Sequence, residues 1–129
     1  MRLIAVTLAC LIAAACTPAP SITLTTKATA TTPQDQAALA TGLASQLKDP
    51  SSVQYRGVRS FVTSGNQRII CGEYNAKNSF GAYTGFKPFW VRTYEDMPVD
   101  TVAADSSSTY LDSIIAGKCR EAATGKVAV

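Results

Sequence analysis

The stretch VQYRGVRSFVTSGNQRIICGEYN, Val53–Asn75, decides the fold. Its first part alternates imperfectly, with Val53, Tyr55, Val58, Phe61 and Val62 as the apolar positions, and predicts a strand from about Tyr55 to Thr63. Ser64-Gly65-Asn66-Gln67 has the residues a tight hairpin turn requires. Arg68 to Asn75 then returns as a second strand, with Ile69 and Cys71 on one face and Ile70 and Gly72 on the other. After a loop from Ala76 to Gly85, a third strand is expected over Phe86–Tyr94, with Pro88 placing it at a sheet edge or a strand entrance.

Working outward, Thr32-Pro33-Gln34-Asp35 reads as a helix start. Thr32 is a suitable N-cap, Pro33 suits the first helical position, and Asp35 can return a capping bond. Leu39, Leu43 and Leu47 follow at helical spacing, flanked by Ala40 and Ala44, and Pro50 ends the helix near Lys48. On the other side an acidic loop, Glu95–Asp105, leads to a second helix over about Ser107–Ala116. Tyr110, Leu111, Ile114 and Ile115 form its apolar stripe, and Gly117 is the expected C′ residue. The expected fold class is therefore α+β: an N-terminal helix, a three-stranded antiparallel meander and a C-terminal helix, with both helices on one face. The domain is expected over 33–122, with a disordered tail at 123–129.

The N-terminus has a different character. Met1-Arg2 precedes a nearly unbroken apolar run from Leu3 to Ala15, which fits a secretory leader over 1–15 and is too short to span a bilayer. The run closes on Ala13-Ala14-Ala15-Cys16. Small residues before a cysteine resemble the lipobox of bacterial lipoproteins, departing from it at Ala13, where leucine is usual. The resemblance implies cleavage before Cys16, lipidation of that cysteine and attachment to a membrane. With Thr17 rather than Asp after the cysteine, it further implies the outer membrane, facing the periplasm. Residues 17–33, TPAPSITLTTKATATTP, read as a flexible tether, so 16–32 is the lipidated cysteine and its tether.

Cys71 and Cys119 are the cysteines that remain in the domain, and an even pair in an oxidising compartment predicts a disulfide. They have no C-x-x-C spacing, which argues against redox catalysis.

Composition excludes several function classes. The chain has no histidine, so Ser-His-Asp and Cys-His enzymes are ruled out, and the cysteine and carboxylate spacing fits no zinc pattern. The net charge is only +3, one unit of it from Arg2 in the leader, with no run of like charges. That gives no electrostatic case for nucleic acid. No cofactor is implied.

The densest chemistry lies in the stretch from Cys71 to Phe89, where Glu73, Asn75, Lys77, Asn78 and Ser79 stand beside Tyr74, Phe80, Tyr83 and Phe86. Together with Asp49-Pro50-Ser51-Ser52-Val53-Gln54-Tyr55-Arg56, its CGEYNAKNSFGAYTGF wording resembles a family of small exported or phage-borne bacterial proteins. The resemblance spans roughly 48–90 plus the C-terminal cysteine and implies no activity.

Three readings of the loop stand open. In the first it is structural: Gly81 and Gly85 permit positive φ, Asn75 and Asn78 cap turns, and the aromatics close the core. In the second Glu73, Asn75, Lys77, Asn78, Ser79, Tyr83 and Trp90 form a ligand site for a sugar or peptide. In the third Glu73 and one of Glu95, Asp96 or Asp100 form a hydrolytic carboxylate pair, or Lys77 or Ser79 acts as a nucleophile whose base is not identifiable. Arg56 and Arg59 read as a solvated strand face. The leading functional expectation is a non-enzymatic envelope lipoprotein that binds a protein partner as an accessory module. A peptidoglycan-binding lipoprotein and a small hydrolase are the alternatives.

Overall fold

The computed structural model describes residues 21–103 and 108–129. The leader, Cys16, the first part of the tether and the stretch 104–107 lie outside the described residues. Six strands and two helices follow in the order β1 (Thr23–Thr29), α1 (Pro33–Ala44), β2 (Gln54–Thr63), β3 (Gln67–Asn75), β4 (Lys87–Tyr94), β5 (Met97–Ala103), α2 (Thr109–Thr124) and β6 (Lys126–Ala128). All neighbouring strands are antiparallel, in the sheet order β5-β4-β3-β2-β1-β6.

The three expected strands are the centre of this sheet, and three more surround them, so the three-stranded meander is corrected to a six-stranded sheet. Each omission has a physical origin. The Thr-rich segment assigned to the tether is ordered as β1 because it pairs with β2 on one side and β6 on the other, and threonine suits a pleated, half-covered surface. Leu24 packs toward the core, and Thr26 Oγ1 donates to the Ala122 carbonyl at 2.7 Å. The acidic loop contains β5, whose pattern is obscured by a bulge between Arg92 and Thr93. Glu95 and Asp96 are the turn residues, both at positive φ (49° and 61°), as a type I′ hairpin requires. The tail contains β6, because α2 does not stop at Gly117. It runs to Thr124 and ends on Gly125 at φ 102°. Lys118 to Ala123 are mostly good helix formers, and they carry the helix through an unhindered interior glycine.

The helices lie on opposite faces, not on one. Leu39 and Leu43 of α1 pack with Ile70, Phe89 and Val91. Ile115, Cys119 and Ala122 of α2 pack with Phe61, Ile69, Cys71 and Trp90. The runs Ile69-Ile70-Cys71 and Phe89-Trp90-Val91 are buried throughout, which requires cover on both sides of β3 and β4. The stripe of α2 that faces the sheet is Leu111, Ile115, Cys119 and Ala122, while Tyr110 and Ile114 are exposed.

The expected capping box is present: Thr32 accepts from the Asp35 amide, and the Asp35 carboxylate accepts from the Thr32 amide. The same carboxylate, 2% exposed, takes Arg68 of β3 through both oxygens, with one contact at 2.6 Å. Burial pushes the Asp35 carboxyl up. The hydrogen bonds from Arg68 and Thr32, with the Arg68 charge, outweigh it and hold the carboxyl below its ordinary value of 3.8. On the opposite face a disulfide joins Cys71 to Cys119 with the Cα atoms 5.9 Å apart, as expected. Among the described residues no helix is long and apolar enough to cross a membrane.

Candidate functional site

The loop between β3 and β4 is built from its own side chains. Asn75, at the end of β3, is buried, and its Oδ1 accepts from the Gly85 amide at 3.0 Å, tying the loop's exit to its entrance. Asn78 Oδ1 accepts from the amides of Phe80 (2.9 Å) and Ala82 (3.1 Å), an Asx arrangement that organises the tip. The backbone closes the same turn, Asn78 N donating to Ala82 O and Gly81 N to Asn78 O. Gly81 and Gly85 have φ of 78° and 94°, where a side chain would be strained.

The Asp49-Pro50-Ser51-Ser52 turn is the other half of this device. Ser52 Oγ donates to Asp49 O at 2.8 Å and accepts from the Lys77 amide at 2.9 Å, and the Tyr83 hydroxyl donates to Ser52 O at 3.1 Å. Ser51 Oγ donates to Asp49 Oδ1 at 2.6 Å; that bond is the chief reason the Asp49 carboxyl sits below its ordinary value. The two parts of the motif, 25 residues apart at Ser52 and Lys77, are thus one latch. This accounts for the asparagines, Ser52 and the Tyr83 hydroxyl in structural terms.

The remaining candidates separate. Lys77 Nζ stands 5.5 Å from the centre of the Tyr83 ring, which is 44% exposed, and Ser79 is exposed near the tip. Trp90 is 1% exposed beneath α2, with Lys118 over its ring, so it offers no platform to a sugar. Glu73 is ion-paired with Arg56 at 2.7 Å, and the Arg56 guanidinium lies 4.1 Å over the Phe86 ring. Its proposed carboxylate partners are remote. Glu73 pairs with Pro88 at the start of β4, whereas Glu95 and Asp96 turn beyond the other end, roughly 20 Å away at about 3.3 Å per residue. Asp100, opposite Arg92, lies roughly 15 Å off on the same spacing. A glycosidase pair needs about 5–10 Å.

The geometry singles out one residue that sequence reasoning counted only among the aromatics. Phe80 is 94% exposed at the tip of the fixed loop. Its signal was present in the sequence: a large apolar residue between an Asx-forming asparagine and a glycine has nowhere to fold back.

No family model, no curated protein and no solved structure matches this chain.

Proposed function

We propose that this chain is an exported, lipid-anchored envelope protein, held at the periplasmic face of the outer membrane through Cys16, whose domain binds a protein partner with the 76–86 loop. The observation that carries the binding role is Phe80, almost fully exposed on a loop whose conformation is set by Asn75, Asn78, Ser52 and Tyr83. An aromatic anchor held in place before binding loses little conformational freedom on association, which is what an interface hot spot needs. The disulfide suits an oxidising compartment. The role asks for no catalytic residue.

The test is capture from detergent-solubilised envelope with wild type and Phe80→Ser, read by mass spectrometry. Phe80 supports nothing in the fold, so the variant is expected to keep its stability within about 0.5 kcal/mol. One reproducible protein should be retained by wild type and lost, by about tenfold or more, with the variant. Equal capture by both sinks the role of the loop. The anchor is tested separately: Cys16→Ser should move the protein from the membrane fraction to the soluble fraction, and an unchanged distribution rejects lipidation.

A further inference from the structure

A cavity of about 570 Å³ lies on the α2 side of the sheet. It owes its existence to Gly57. Arg56 pairs with Glu73 and Arg59 with Cys71, so Gly57 and Val58 together oppose the single residue Gly72. Gly57 has φ 61°, the left-handed first position of a G1 bulge. In a regular strand residues three apart point to opposite faces. Here the bulge brings Arg56 and Arg59 onto one face, beside Glu73, and α2 contributes Arg120 across from them.

The charges in this concavity do not balance. Arg56 is taken by Glu73 and stacked on Phe86. Arg59 and Arg120 form no ion pair among the described residues. Glu121, next to Arg120 in sequence, lines a separate groove with Lys126, and Lys118 lies over Trp90. The same groove is lined by apolar groups as well, Ala116, Pro88 and the Cys119 end of the disulfide.

We propose that this groove binds a ligand bearing a carboxylate on an apolar stem, the chemistry of a peptide's free C-terminus, with Arg59 and Arg120 holding the carboxylate. The planar guanidinium fork matches a planar carboxylate through paired N–H donors. The apolar lining takes the stem. Glu73, still part-exposed at its side chain, disfavours a second negative charge, so a carboxylate suits the groove better than a phosphate dianion. The site is independent of the Phe80 loop, because a short peptide needs no contact there.

The test uses the full chain with its disulfide formed, titrated with acetyl-trialanine bearing a free carboxylate, with its C-terminal amide, and with inorganic phosphate. The readout is the NMR signals of the arginine Nε–H groups. The acid should shift Arg59 and Arg120 saturably, the amide should not, and phosphate should bind more weakly than the acid. Arg59→Gln and Arg120→Gln should each weaken the acid by about tenfold or more, the loss expected for a charged hydrogen-bonded contact. Arg120→Lys keeps the charge and loses the fork, so it should also bind more weakly; Lys27→Gln, on exposed β1, should bind as wild type. Thermal unfolding of each variant confirms that it is folded. Equal binding of acid and amide overturns the proposal, as does tighter binding of phosphate, or no saturable shift up to about 10 mM of acid, which is weaker than a millimolar site.

Discussion

The two faces of the sheet are fastened by different chemistry. On the α1 face the fastening is polar and reversible: Asp35 joins the start of α1 to Arg68 of β3, and Gln46, just past its end, reaches β5. On the α2 face it is covalent, Cys71 to Cys119, and the polar groups around it are arranged along an open groove. A face closed by ion pairs responds to protons, and a face closed by a disulfide responds to reductants. The difference also places the candidate binding surface. The covalent link fixes α2 against β3 without filling the space beside Arg59 and Arg120, whereas the α1 fastening consumes its charged groups internally.

The largest expected effect follows from cutting the covalent side. Replacing Cys71 and Cys119 together by alanine, or reducing them, should lower stability by about 4 kcal/mol, from the chain entropy of a 48-residue separation. Urea unfolding with and without reductant measures it. A loss below about 1 kcal/mol would mean that packing of Ile115 and Ala122 alone holds this face.

Next is the polar side. Asp35→Asn should destabilise by about 3 kcal/mol at pH 7, because a buried carboxylate is removed from a guanidinium that is itself largely covered. The pH dependence has a definite sign. The folded carboxyl titrates below 3.8, so its contribution is complete above that value and is lost as pH falls through the folded pKa. Wild type and variant should therefore differ fully at pH 7 and converge in acid, as pH falls from 3.8 through the lowered folded value. The disulfide variant should show no such convergence. If the Asp35→Asn gap persists in acid, the loss reflects packing rather than charge.

Much of this arrangement was legible in the sequence, and its limits are instructive. The Thr32–Asp35 capping box, the central hairpin, the disulfide pair and the structural role of Asn75 and Asn78 could be read because each depends on residues near one another or on a count of cysteines. What was missed depends on partners far away in sequence. β1 is ordered only by β2 and β6, and threonine reads equally as linker. The two-sided cover of β3 is written in the unbroken apolar run Ile69-Ile70-Cys71, which a single helical layer could not bury. The groove was hidden for a related reason: Arg56 and Arg59 read as a solvated strand face, and neither the bulge at Gly57 that sets them beside Glu73 nor Arg120 of α2 is written in the local pattern.

A smaller effect tests how closely α1 is seated. A Cβ at Gly42 would stand 2.5 Å from Thr101 Oγ1, closer than atoms pack, so α1 approaches β5 only because this position is glycine. Gly42→Ala gains helix propensity but must displace Thr101, for a net loss of about 1–2 kcal/mol. Thr101→Ala removes both the hydroxyl and the methyl that crowd this position and should recover part of that loss in the double variant, a coupling that a mutant cycle reads directly. Additive losses would mean that α1 shifts as a body.

The smallest effect concerns the exposed edge of the sheet. Gln46 acts as a surrogate strand: its Nε2 donates to Thr101 O at 2.8 Å and its Oε1 accepts from Ala103 N at 3.0 Å, satisfying one carbonyl and one amide of β5. Pro98 removes another donor from the same strand. Together they blunt an edge that would otherwise pair with another chain. Gln46→Ala is exposed and should lower global stability by only about 0.5–1 kcal/mol. Its signature is local. Hydrogen exchange of the Ala103 amide should accelerate while that of Val91, in the interior strand β4, stays within the change in global stability. Concentration-dependent association of the variant would show that the α1 face, besides being the pH-sensitive side, guards the sheet edge. Unchanged exchange at Ala103 would leave that protection to Pro98 alone.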